Sequence, residues 1–224
     1  MATLALTIAT QAPPWQTVPL AVREALLAWI PNAAAEEKER NRLIASVIAQ
    51  RVYSPWTATL SSLALCDIER GERILYRTAD EIAPVQTSVT VHERSEASIL
   101  ESFWEGATQY DTFVTFNGRR FLLPFLLQRS ALCGVRPTVP LLQRRYLEQQ
   151  SAIRHIDLLD QVTYYGALNR RPSLTLLAHA YGIDVSEETS GHSTLSELAI
   201  VTSLYQNWLR YQADLGIPII DADG

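Results

Sequence analysis

The chain has 224 residues, 47% of them hydrophobic, and 19 basic residues against 24 acidic ones give a formal net charge of -5. This is the composition of a globular protein with a sizeable core, and it excludes a disordered or collagen-like chain. Apolar runs such as Ala199 to Leu204 stop far short of the roughly 18–20 residues that a membrane span needs, and the N-terminus lacks the basic flank of a signal peptide. A cytoplasmic protein without membrane association is therefore expected. Cys66 and Cys133 lie 67 positions apart without further ligands nearby, so buried thiols are expected rather than a disulfide framework or a zinc site.

The first ten residues alternate, with Leu4, Leu6 and Ile8 set against Thr3, Ala5 and Thr7, before Pro13 and Pro14 interrupt; the pattern predicts a half-buried strand. Helix formers follow over Leu20 to Trp29 and Ala33 to Gln50, the second stretch carrying an apolar stripe of Leu43, Ile44, Val47 and Ile48. These two helices read as an insertion at about residues 18–52 between two strands. Leu60 to Ile68 and Arg73 to Tyr76 form a predicted hairpin around Gly71, with a third strand at Thr87 to His92. A helix over Ser95 to Thr108 puts Ile99, Leu100, Phe103 and Trp104 on one face, with Ser95 as its cap. A short buried strand at Thr112 to Phe116 leads into a helix at Arg119 to Leu132 with Pro124 near its start, where proline costs least. A strand at His155 to Leu158 and helices at Ser173 to Ala180 and Leu195 to Tyr211 complete the chain. Strands first, then helix alternating with strand, predict an α/β domain spanning 1–224 with a mixed central sheet flanked by helices.

The charge is unevenly spread. Lys38 is the only lysine, and nine of the eighteen arginines fall between Arg119 and Arg171 against three acids, Glu148, Asp157 and Asp160. That segment carries +6 and the remainder -11. An acidic protein with a basic segment can present one face to a polyanion without being sticky throughout, although solvated surface arginines satisfy the same count.

The run Phe113 to Leu126, reading FVTFNGRRFLLPFL, resembles the second exonuclease motif of the DnaQ-like 3'-5' exonucleases. These belong to the RNase H-like fold, and the bacterial group related to the proofreading domain of family-B DNA polymerases is the nearest in pattern, F-N-G-R-x-F-D-x-P. Ser54 to Thr57, Phe103-Trp104, Arg144 to Tyr146, His155 to Asp160 and Tyr164 to Ala167 resemble further landmarks of that group in the same order. The resemblance implies four carboxylates holding two divalent metals, magnesium or manganese, which activate a water and stabilise the leaving oxygen. Two of those acids belong to a D-x-E on the first strand, where this chain has Thr7 and Ala9; the third belongs to the second motif, where Leu122 stands. On the last helix Glu197 falls near the fourth, with His192 five residues before it.

Three readings follow. In the first, the chain is a catalytically inactive exonuclease-like protein that needs no cofactor and binds single-stranded DNA or RNA. Its groove is then lined by Asn117, Arg119, Arg120, Phe121, Arg144, Arg145 and Tyr146. Glu197, His192 and Asp157 are remnants of the catalytic set, with a capping or arginine-pairing role favoured for Asp157. In the second reading the fold is a scaffold for a protein partner, with Trp15, Trp29 and Trp56 as candidate anchors. In the third, an active magnesium- or manganese-dependent nuclease uses relocated ligands Asp67, Glu69, Asp157 and Glu197. Asp67-Ile68-Glu69 also reads D-x-E, but Gly71 and the strand after it place it at a hairpin end.

Overall fold

The computed structural model describes residues 2–30, 37–79, 88–168, 170–183 and 194–213. Among the described residues six strands form one mixed sheet: β1 (Thr3–Gln11), β2 (Thr59–Asp67), β3 (Arg73–Arg77), β4 (Val89–Glu93), β5 (Thr112–Thr115) and β6 (Arg154–Asp157). Their order across the sheet is β4-β3-β2-β1-β5-β6. Strand β1 is central, antiparallel to β2 and parallel to β5, and β6 continues the parallel side. The helices are α1 (Leu20–Leu27), α2 (Glu37–Gln50), α3 (Glu96–Ala107), α4 (Leu123–Leu132), α5 (Leu158–Val162), α6 (Leu174–Ala180) and α7 (Thr194–Tyr211). This is the expected α/β architecture with a mixed sheet between helices, and α1 and α2 stand in the chain between β1 and β2.

Alternation along β1 sends Leu4, Leu6 and Ile8 into one core, shared with Ile99, Leu100, Phe103 and Trp104 of α3 and Phe125 and Leu126 of α4. Ala5 joins the opposite core with Val114, Leu198, Val201 and Leu204. The expectation of a half-buried first strand is therefore corrected: Thr3 to Ile8 are buried throughout. The side that reads as weakly polar carries Ala5 and Thr7, small residues that let α7 close over it.

Polar ties fix the helices to the sheet. Glu96 accepts from Nε and Nη2 of Arg129 at 2.8 and 2.5 Å and from the Leu60 amide at 2.7 Å, joining α3, α4 and β2. Trp104 Nε1 donates to Ser130 Oγ at 2.8 Å. Cys66 is buried and Cys133 half-buried, and both are free thiols. Among the described residues no helix is long and apolar enough to cross a membrane.

Candidate functional site

A cleft of about 950 Å³ opens at the carboxyl ends of β1 and β5, the edge at which open α/β sheets place their ligands. The pairing of β1 with β2 shifts register between Ala9 and Thr10, on the cleft wall, as strands commonly do beside functional sites.

The wall after β5 is built by a turn that few sequences permit. Asn117 has φ 55° and ψ 28°, a left-handed conformation that asparagine and glycine adopt most readily. At Gly118 a Cβ would stand 1.9 Å from Thr115 Oγ1 and 3.1 Å from His155 Nε2, so no side chain fits. Residues Gly118–Leu122 then make one π-helical turn, a form that recurs at functional sites, and hand over to α4. Asp157, at the end of β6, holds this turn in place. Its Oδ2 accepts the Arg119 amide at 2.9 Å and its Oδ1 the Leu159 amide at 3.1 Å. Burial pushes the Asp157 carboxyl above its ordinary value, while the amides of Arg119, Leu159 and Asn117 pull it back. Beneath the turn His155 Nε2 and Thr115 Oγ1 share a 2.8 Å hydrogen bond, and Nδ1 has no partner among the described residues. Burial, reinforced by the Arg119 charge, lowers the His155 pKa to about 3, so the ring is neutral.

Thr7, Ala9 and Leu122, the residues that the resemblance sets against the family's acids, line this one cleft together with Glu197. Each is otherwise engaged or inert. Thr7 Oγ1 donates to the Thr194 carbonyl at 2.8 Å, and Thr194 Oγ1 lies 2.5 Å from Ser62 Oγ, a buried hydroxyl chain that ties α7 to β1 and β2. Leu122 is part of the core shared by α3 and α4, and Ala9 offers no donor atom. Both Asp157 oxygens are taken by amides. Among the described residues no three His, Cys, Asp or Glu side chains are grouped so as to hold a metal ion. The donor set therefore does not fit a two-metal centre. Nor are the relocated ligands assembled. Asp67 pairs opposite Leu4, at the far end of β1 from the cleft, where it accepts from the Arg70 amide and the Tyr110 hydroxyl at 2.9 and 3.1 Å. Glu69 accepts the Thr3 amide at 2.8 Å. The 67–69 acids are hairpin residues. His192 lies outside the described residues.

Of the seven expected groove residues, Asn117, Arg120 and Phe121 face the cleft. The other four are elsewhere. Arg119 donates to the Gln143 carbonyl, and Arg145 forms a two-pronged pair with Asp160 at 3.0 and 2.6 Å. Tyr146 packs edge-on against Tyr165, ring centroids 4.7 Å apart, and Arg144 is an exposed neighbour on the same segment. The cleft instead gains Tyr53 and Arg171. Tyr53 is exposed and meets the Phe121 ring edge-on at 5.7 Å; it sits one residue before the Ser54 to Thr57 landmark. Arg171 lies in the basic segment, where its neighbours Pro172 and Ser173 announce a helix start. Of the three tryptophans considered as partner anchors, Trp29 and Trp56 are exposed, while Trp15 is half-buried beneath the Arg51 guanidinium at 5.0 Å.

Residues 72–199, more than half of the chain, match the model of a family described as a predicted 3'-5' exonuclease related to the exonuclease domain of PolB. The chain belongs to this PolB-related exonuclease family. The match runs from just before β3 into α7 and leaves β1 and β2 outside it. Among solved structures, the chain is similar to the family B DNA polymerase of the hyperthermophilic archaeon Pyrobaculum calidifontis, with a TM-score of 0.55 and 13% identity. That likeness covers 93% of this chain and 24% of the polymerase, and at this identity it shows the fold. No curated protein matches the chain. The exonuclease-like fold read from the FNGRRF run is thus shown.

Proposed function

We propose that the cleft binds single-stranded nucleic acid through arginine and aromatic contacts, without a divalent metal, and does not cleave it. The observation that carries this reading is what occupies the cleft. Thr7, Ala9 and Leu122 stand where the family resemblance calls for carboxylates, while Arg120, Arg171, Tyr53 and Phe121 line the same space. Guanidinium groups suit phosphates and exposed aromatic faces suit unpaired bases, with little demand on sequence. Two-metal hydrolysis would need several carboxylates to hold the ions that generate hydroxide and stabilise the leaving oxygen. Glu197 is the one carboxylate among the described lining residues.

Fluorescence anisotropy with a labelled single-stranded oligonucleotide, DNA or RNA, tests the reading. Binding should weaken with salt by a slope of about -0.7 for each phosphate contacted. Replacing Arg120 or Arg171 by alanine should each flatten that slope, and Phe121→Ala should weaken binding at every salt concentration. The absence of binding to either polymer at low salt would end this proposal.

A further inference from the structure

Two arginines and one carboxylate are the charged groups among the described lining residues of the cleft, and this balance bears on which chemical end of a strand it accepts. Arg120 and Arg171 are the cations among its described lining residues, both exposed, and neither makes an ion pair or hydrogen bond among the described residues. Three other arginines of the basic segment are spent: Arg119 on the Gln143 carbonyl, Arg145 on Asp160, Arg129 on Glu96. Ser173, also on the wall, accepts the Leu176 amide through Oγ at 3.1 Å, which leaves its hydroxyl proton available to a ligand oxygen.

An internal phosphodiester carries one negative charge, which one guanidinium matches. A terminal phosphate monoester carries about -1.5 to -2 at pH 7 and three acceptor oxygens, enough for two guanidiniums and a hydroxyl. Two uncommitted arginines in one concave site, with a single carboxylate among the described lining residues, therefore match the monoester better than either a diester or a free hydroxyl end. Resting on the nucleic-acid reading above, we propose that the cleft selects strands ending in a phosphate monoester over strands ending in hydroxyls, with Arg120 and Arg171 as the groups that read the phosphate.

The test uses the full chain and three internally labelled oligothymidylates of one length, ending in hydroxyls only, in a 3'-phosphate, or in a 5'-phosphate. They are titrated by anisotropy at low ionic strength in chelator. One phosphate-ended strand should bind about tenfold more tightly than the hydroxyl-ended strand, the effect of one added charge-assisted contact, and which strand it is identifies the end. In the R120A/R171A double variant the three dissociation constants should coincide. Because both side chains are exposed, its melting temperature should match the parent; if it does not, the separate Arg120→Gln and Arg171→Gln variants replace it, each expected to shrink the difference. Equal affinity of the parent for all three strands overturns the selectivity and leaves the nucleic-acid reading standing. Selectivity that survives the variants also overturns the assignment to these arginines. Failure of all three strands to bind removes both proposals.

Discussion

Gly118→Ala should be among the most damaging single-methyl changes in the chain. The new Cβ would lie 1.9 Å from Thr115 Oγ1 and 2.7 Å from Thr115 Cβ, where carbon contacts settle near 3.5–4 Å. Thr115 and His155 are both buried, so neither can swing into solvent. If Thr115 rotates away, His155 loses its Nε2 partner, and its Nδ1 already lacks one; a buried polar group stripped of its bond costs about 1–3 kcal/mol. Overpacking adds about 1–3 kcal/mol. The combined loss is about 2–6 kcal/mol, which at about 2–4 °C per kcal/mol for a chain of this size lowers the melting temperature by roughly 10 °C. Gly106→Ala is the control. It sits in α3 with nothing within 4 Å of its added Cβ, so it should stabilise by about 0.5–1 kcal/mol through reduced backbone freedom. Urea unfolding followed by tryptophan fluorescence compares the two. Equal midpoints for the Gly118 and Gly106 variants would refute the close-approach argument.

Leu122→Asp puts a carboxyl into a site that is 4% exposed and packed into the core of α3 and α4; it should cost about 2–5 kcal/mol. Magnesium should not raise its melting temperature, since the new carboxyl would have only Glu197 beside it among the described lining residues and Thr7 and Ala9 add none, too few for a two-metal site; a magnesium-dependent rise would contradict this. Glu96→Ala leaves Arg129 without its carboxylate and the Leu60 amide without an acceptor, both in mostly buried surroundings; about 3–5 kcal/mol should be lost, read from the denaturation midpoint. His155 is held neutral, with its folded pKa depressed to about 3 from 6.5. Its contribution to stability is therefore whole above pH 6.5 and is lost as pH falls towards 3, at up to about 1.4 kcal/mol per unit. Asp157, raised by burial, opposes this at the acid end of the window, because its unfolded form releases the proton more readily. His155→Gln should flatten the slope between pH 6.5 and 5, and an unchanged slope would show that another group sets it.

How far the chain could be read in advance depended on whether a feature is local. The turn after β5 was legible because asparagine followed by glycine marks a left-handed, crowded corner, and its motif carried the fold. Ser95 and Ser173 were legible as helix starts for the same reason, and both cap as hydroxyl acceptors. Burial of both faces of β1 was not, because Ala5 and Thr7 become core only when α7, nearly two hundred residues later, lies on them. The arginines were legible as a cluster but not as individual contacts. Charge density does not say that Arg145 meets Asp160 or that Arg119 turns to a carbonyl, whereas Arg120, beside it in sequence, faces the cleft. Tyr53 was missed since it arrives from the end of the helical segment between β1 and β2, and nothing around it signals a wall. The short α5 was missed because strand β6 passes into it directly, with Asp157 serving as its cap.

The central claim is that this exonuclease-like cleft holds nucleic acid without a metal centre. One titration tests it most directly: a 3'-labelled and a 5'-labelled single strand mixed with the protein in chelator and in magnesium, with affinity read by anisotropy and strand length on a denaturing gel. Binding without a metal centre predicts an affinity in magnesium no higher than in chelator at matched ionic strength, and a full-length strand throughout. Binding that requires magnesium, or stepwise 3' shortening that disappears in Glu197→Ala, would contradict it.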